Sequence, residues 1–194
     1  MILEGIVTTL STDGGVNIAP MGAVIDDAQE RSIRRMRLRP YQGTATLANL
    51  TRTGQGVFHV TDDVDLLARA AVDRLETLPE LLPAQKVEGW ILADACRWYA
   101  LRVLKIDASA PRADVDAEVV DCGRLRDFFG LNRAKYAVVE AAILATRVKL
   151  LPLAEIREEL KRLALPVEKT GGAAEQRAFA FLQDYVERAF EVGP

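Results

Sequence analysis

The chain has 194 residues, 49% hydrophobic and 27% charged, a globular balance with length for one domain or one domain plus an appendage. A net charge of −3 and a pI near 5.4 argue against nucleic acid as the main partner, because phosphate binding wants a basic surface. No basic-then-apolar leader is visible, no apolar run approaches the roughly 18 residues that span a bilayer, and Cys96 and Cys122 lack metal-ligand spacing, so the expectation is a cytoplasmic protein with two buried thiols.

Taken in order, Ile2 to Leu10 and Val16 to Val24 read as a β-hairpin closed by "DGG", since glycine takes positive φ without steric cost. Pro20 then removes a ladder N–H in the second strand, which predicts a break there. A third strand runs from Ser32 to Arg39. "TATLANLTRTG" reads as a helix with Thr44 as N-cap and Gly54 past its end. Gly56 to Val60 is a strand, and "TDDVDLLARAAVDRLETL" sets Val64, Leu67, Ala71, Leu75 and Leu78 on one helical face. Strands follow at Gly89 to Ala95, Arg97 to Ile106 and Asp116 to Val120. After residue 123 strand signals vanish. Three helices are expected there: one capped by Asn132, one opening at Pro152 and ending by Leu165, and one after the Thr170-Gly171-Gly172 break. Strands followed by helices imply an α+β chain: a β-barrel of six or seven strands over residues 1–122, and a helical part over 123–194.

Most catalytic constellations are excluded. His59 is the only histidine, so one chain cannot build a multi-histidine metal site, and no serine sits in a GxSxG turn. In "GVFHV", His59 reads as a satisfied strand residue. The acidic "TDDVD" complements a helix dipole at its first turn more simply than it ligates a metal. Neither GxGxxG nor a Walker A motif is present. One constellation survives: Arg35, Arg37 and Arg39 alternate with Met36 and Leu38, and the stripe runs through Pro40 and Gly43 into the helix at Thr44. A helix N-terminus beside an arginine can hold a phosphate; the same spacing also suits a solvated stripe on an exposed strand.

The segments "ILEGIVTT…DGGVNIAPMG", "LRPYQGTATLANLTRTGQGVFHVTDD" and "LNRAKYAVVEAAILATR" together resemble the DUF447 family, related to the FMN-binding split barrels of flavin reductases and pyridoxamine-phosphate oxidases. The resemblance covers almost the whole chain. It implies a split β-barrel with a C-terminal helical part, a homodimer, and FMN near the dimer interface. The site residues it singles out are Asn17, Ala19, Pro20, Met21, Gly22, Arg39, Tyr41, Gly43, Thr44 and Asn49. On this reading the break at Pro20 frees backbone groups of Asn17 to Met21 for the flavin's polar edge, Gly22 permits close approach, and Met21 lies against the ring. No residue is an obvious acid, base or nucleophile, and a flavin carries the redox chemistry itself. The implied activity is therefore a flavin-dependent oxidoreductase or flavin reductase using NADH or NADPH. The alternatives are a flavin-binding module without turnover, or a split barrel holding a deazaflavin or another phosphorylated cofactor.

Overall fold

The computed structural model describes residues 1–26, 28 and 32–191. Strands β1 (Ile2–Leu10) and β2 (Val16–Val24) form the expected hairpin. Its loop closes through Ser11 N–H to the Gly15 carbonyl at 2.8 Å, with Gly14 at φ 83°. Strand β3 (Arg35–Leu38), helix α1 (Ala45–Thr53) and strand β4 (Gln55–Val60) come next. Helix α2 (Val64–Ala71), the short strands β5 (Leu81–Pro83) and β6 (Trp90–Leu92), and the long hairpin β7 (Arg97–Asp107) and β8 (Asp114–Arg124) follow. Helices α3 (Arg133–Ala145), α4 (Leu153–Thr170) and α5 (Ala173–Glu191) complete the chain.

The fold is α+β, as expected. Six antiparallel strands close a barrel in the order β1-β2-β3-β8-β7-β4, and β5 pairs only with β6. Alternate residues fill its interior: Val7, Ala23, Met36, Leu38, Phe58, Leu101, Val115 and Ala117 are all nearly solvent-free. On the outside, the β5–β6 hairpin covers Val57 and Ala100 with Val87 and Ile91. The sequence reading misses β5, because Leu-Leu-Pro carries neither β-branched residues nor a run long enough to alternate.

Two compact units share the chain: Met1–Thr61 with Leu78–Phe128, and Asp62–Thr77 with everything from Phe129 onward. The helical unit thus begins earlier than the expected 122/123 boundary, because α2 packs on α3 and α5. The last three residues of the expected helical part lie outside the described residues. Helix α3 buries Ala134, Ala137, Val138, Ala141, Ala142 and Ala145 within its own unit, against α2, α4 and α5. Its broad apolar surface therefore does not require a partner subunit.

Two helices differ from their sequence reading. The stripe expected to reach Leu78 stops at Ala71; Asp73 adopts φ 55°, a left-handed conformation that short polar side chains tolerate, and Leu78 is exposed. Helix α4 runs past Leu165 through Pro166 to Thr170. Proline has no N–H for the preceding turn, but Val167 beyond it is buried, and the Thr170 hydroxyl donates to the Pro166 carbonyl at 2.8 Å.

The predicted break at Pro20 does not occur. Strand β2 pairs with β1 in unbroken register, Ile6 opposite Pro20. Met1 and Ile25 exchange both backbone bonds, at 2.9 and 3.0 Å, so in the alternating antiparallel ladder the odd residues of β2 bond to β1. Pro20 is even, and its missing N–H falls on the opposite edge. The proline costs the ladder nothing.

Candidate functional site

That opposite edge is where the barrel is thinnest. Strand β2 pairs with β3 at a single position, Val24 with Arg37. Continuing this antiparallel register would set Gly22 opposite Arg39 and Pro20 opposite Tyr41, but no further pairing forms. Past Val24, the outward backbone groups of Gly22 and Ile18 and the carbonyl of Pro20 face no strand. The "NIAPMG" stretch and the "RPYQGT" stretch therefore flank one open joint, and the joint ends at the N-terminus of α1.

The start of α1 is built by its own turn. Gly43 sits at φ 78°, which favours glycine, and an added Cβ there would meet nothing within 4 Å. The Thr44 hydroxyl donates to the Tyr41 carbonyl at 2.8 Å and accepts from the Leu47 N–H at 3.4 Å, while its carbonyl takes the Ala48 N–H. The N–H groups of Ala45 and Thr46 precede the first intrahelical bond and lie at the positive end of the helix. Together with Arg39 they suit a phosphate dianion.

The expected site residues separate into four groups. Pro20, Gly22, Arg39, Gly43 and Thr44 border the open joint. Ala19 and Met21 face inward and pack against the barrel core, so Met21 is spent on the interior. Tyr41 is bound to the β7–β8 turn: its hydroxyl accepts from Arg112 at 2.9 Å, and the Arg112 guanidinium lies 4.2 Å from its ring centre. Gln42 fastens the same loop through the Ala108 and Ala110 carbonyls, at 2.7 and 2.8 Å.

Asn17 and Asn49 meet across the barrel mouth. The Asn17 amide donates to Thr9 Oγ1 at 3.2 Å and Thr46 Oγ1 at 3.0 Å, and the Asn49 amide donates to Thr9 Oγ1 at 3.0 Å. Thr9, Thr46 and Asn49 are buried. Both amide protons of Asn17 are thus used, and Oδ1 is its remaining hydrogen-bonding atom. The sequence reading misses Thr9 and Thr46, which carry no signal beyond lying on the inward face of a strand and a helix.

It also misses the acidic partners of the arginine stripe. Arg37 binds Asp116 at 2.7 Å and Asp114 at 3.6 Å, and Arg39 binds Asp114 at 3.0 Å. The hydrogen bond that Arg37 donates to Asp116 raises the Arg37 pKa. The signal was available: Asp114, Asp116 and Glu118 alternate on β8 as the arginines do on β3. A cleft of about 430 Å³ opens beside the Val24–Arg37 pair, with Arg35, Arg37, Lys105 and Asp116 in its wall. None of the ten expected residues lines it.

His59 is a structural residue of the barrel wall. It is fully buried; Nδ1 bonds the Ile6 carbonyl at 3.2 Å, and Nε2 accepts from the Leu92 N–H at 3.1 Å. Burial pushes its pKa down to about 4, only partly opposed by the Ile6 bond. Asp62, in the helical unit, accepts from the Phe129 N–H at 2.6 Å. Among the described residues no three His, Cys, Asp or Glu side chains gather as a metal site, and no helix is long and apolar enough to cross a membrane.

Solved structures share this architecture. An FMN-bound protein from Methanosarcina mazei matches with a TM-score of 0.79 and 22% identity, over 95% of this chain and 94% of that one. An FMN-binding protein from Thermus thermophilus with bound 1-cyclohex-2-enone matches at 0.53 and 14%, over 63% and 70%. The styrene monooxygenase flavin reductase of Pseudomonas putida S12 matches at 0.51 and 12%, over 64% and 82%. At these identities the likeness is one of fold. Among curated proteins, none matches the chain. Residues 3–126 match the N-terminal domain of the protein of unknown function DUF447, residues 132–184 match a second DUF447 segment, and the chain belongs to that family.

Proposed function

We propose that the chain binds FMN at the open β2/β3 joint and acts as a flavin-dependent oxidoreductase or flavin reductase drawing electrons from NADH or NADPH. One observation carries the reading: strand β2 pairs with β3 only at Val24 and Arg37, which leaves an edge rich in backbone donors and acceptors next to the segment that carries Arg39 and leads into the N-terminus of α1. FMN has the matching halves, a ring with a hydrogen-bonding edge and a dianionic phosphate. The FMN-bound Methanosarcina relative and the flavin reductase among the similar structures support the assignment of ligand and reaction class.

The Gly22 and Ile18 backbone would meet the ring edge, and Arg39 with the Ala45 and Thr46 N–H groups would hold the phosphate. Bound flavin supplies the redox chemistry. What this chain adds is binding, orientation and local positive potential in a protein of net charge −3. The site is shared with a second copy of the chain, which closes the joint from outside.

The test is an absorption spectrum of the purified protein, followed anaerobically after NADH or NADPH, with light scattering for the assembly state. The expected result is a yellow dimer that takes up one FMN per chain and bleaches with one of the nucleotides. A colourless protein that refuses added FMN overturns the reading. A yellow protein inert to both nucleotides leaves a flavin-binding module, and a monomer holding stoichiometric FMN removes the shared site.

A further inference from the structure

The joint lacks backbone pairing past Val24, so something else must set the separation of its two sides. We infer that Thr9, Asn17, Thr46 and Asn49 form a clasp that fixes α1 against β1 and β2, making them positioning residues for the ligand. The inference rests on the FMN reading and deepens it.

Three bonds make the clasp, from Asn17 to Thr9 and Thr46 and from Asn49 to Thr9, at 3.0 to 3.2 Å. Thr9 accepts from both amides, so β1, β2 and α1 meet at one hydroxyl. Thr46 is the first-turn residue whose backbone N–H belongs to the phosphate end, while its side chain reaches Asn17 on the strand whose edge takes the ring. One residue thus touches both halves. Thr9, Thr46 and Asn49 are 2%, 3% and 6% exposed, so water cannot readily replace a lost partner. Asn17 and Asn49 act from this network, with Oδ1 of Asn17 left to receive a ligand N–H.

A ligand that engages both sides of the joint depends on their spacing, and one that engages a single side does not. FMN is the first kind. Riboflavin, without the phosphate, is the second. Specificity for the phosphorylated flavin then follows from the clasp as well as from the charges.

The experiment compares Thr46→Val, which keeps the side-chain shape and removes the hydroxyl, with Thr46→Ser, which restores it. Dissociation constants for FMN and riboflavin come from quenching of flavin fluorescence. Amide hydrogen exchange of α1 is measured on the ligand-free protein. Thr46→Val should weaken FMN about tenfold and riboflavin less than about threefold, and should speed exchange of the α1 amides about tenfold. Thr46→Ser should return both to wild-type values, and Thr9→Val should repeat the Thr46→Val pattern. Equal losses for the two flavins indicate general destabilisation and overturn the inference, as does unchanged exchange in Thr46→Val. If the wild type binds neither flavin, the FMN reading falls, and the exchange measurement still decides whether the clasp holds the helix.

Discussion

Arg39 Nε donates to Asp114 Oδ1 at 3.0 Å, so the arginine best placed for a phosphate already has an acidic partner. Both side chains are substantially exposed, at 49% and 38%, and such a surface pair is worth only about 0–1 kcal/mol. A phosphate dianion is the stronger acceptor, with charge-assisted bonds of about 1.5–3 kcal/mol. Arg39→Ala should therefore weaken FMN by about 10- to 150-fold while riboflavin scarcely changes. Asp114→Asn frees the guanidinium and should tighten FMN by up to about fivefold. An FMN-to-riboflavin affinity ratio unchanged in both variants would place the anchor elsewhere.

Gly22 separates folding from binding. A Cβ built there would lie 2.8 Å from Ile2 Cγ2, a methyl on a β-branched but exposed side chain, and 3.2 Å from Glu4 Oε1, the mobile end of an exposed one. Glu4 can swing away and exposed Ile2 must change rotamer about a stiff χ1, so Gly22→Val should cost no more than about 2 kcal/mol in urea unfolding. Flavin binding should nevertheless drop sharply, because the branched side chain stands on the edge that the ring approaches. A variant that is stable and still binds FMN normally would contradict the site.

His59 makes a pH prediction. Its folded pKa of about 4 lies below the ordinary 6.5, so between those values the unfolded chain binds more protons than the folded one. Stability is complete above pH 6.5 and should fall as pH drops toward 4, by up to about 3 kcal/mol from this group. Below that the loss levels off. His59→Gln should remove this part of the slope, read as the wild-type-minus-variant difference in urea unfolding across the window. Flavin affinity at neutral pH should stay within a few-fold, since both ring nitrogens serve the barrel wall.

Lys135 ties the helical unit together. Its ammonium donates to the Asp62 carbonyl at 2.7 Å and pairs with Glu175 at 2.9 Å, and neither side chain is more than 19% exposed. Burial pushes the Glu175 pKa up, but the Lys135 and Gly172 hydrogen bonds outweigh it and the net shift is downward. Lys135→Met strands a largely buried carboxylate and should cost about 2–4 kcal/mol by urea unfolding. Lys135→Met with Glu175→Gln should recover part of that loss. Asp62→Asn, which weakens the bond from Phe129, should leave FMN affinity within a few-fold.

Local signals in the sequence were sufficient where the chain determines its own conformation. The hairpin of β1 and β2, Thr44 and Gly54 at the ends of α1, and Asn132 at the start of α3 all follow from side-chain and φ preferences within a few residues. So does the alternation that turns Arg35 and Arg37 outward and Met36 and Leu38 inward. The same reasoning failed at Pro20, because the harm a proline does depends on which edge its missing N–H faces, and that parity is set by pairing with a distant strand. It failed again at Met21, since a strand residue declares its face only once the barrel has an inside. The arginine stripe was legible, but its neutralisation by β8 depends on a register between residues nearly eighty positions apart. Thr9 and Asn17 already face each other across the hairpin, but Thr46 and Asn49 joined them only when α1 closed over the barrel mouth: hydrogen bonds between side chains on elements that are not sequence neighbours are decided by tertiary packing, and one residue's chemistry does not announce them.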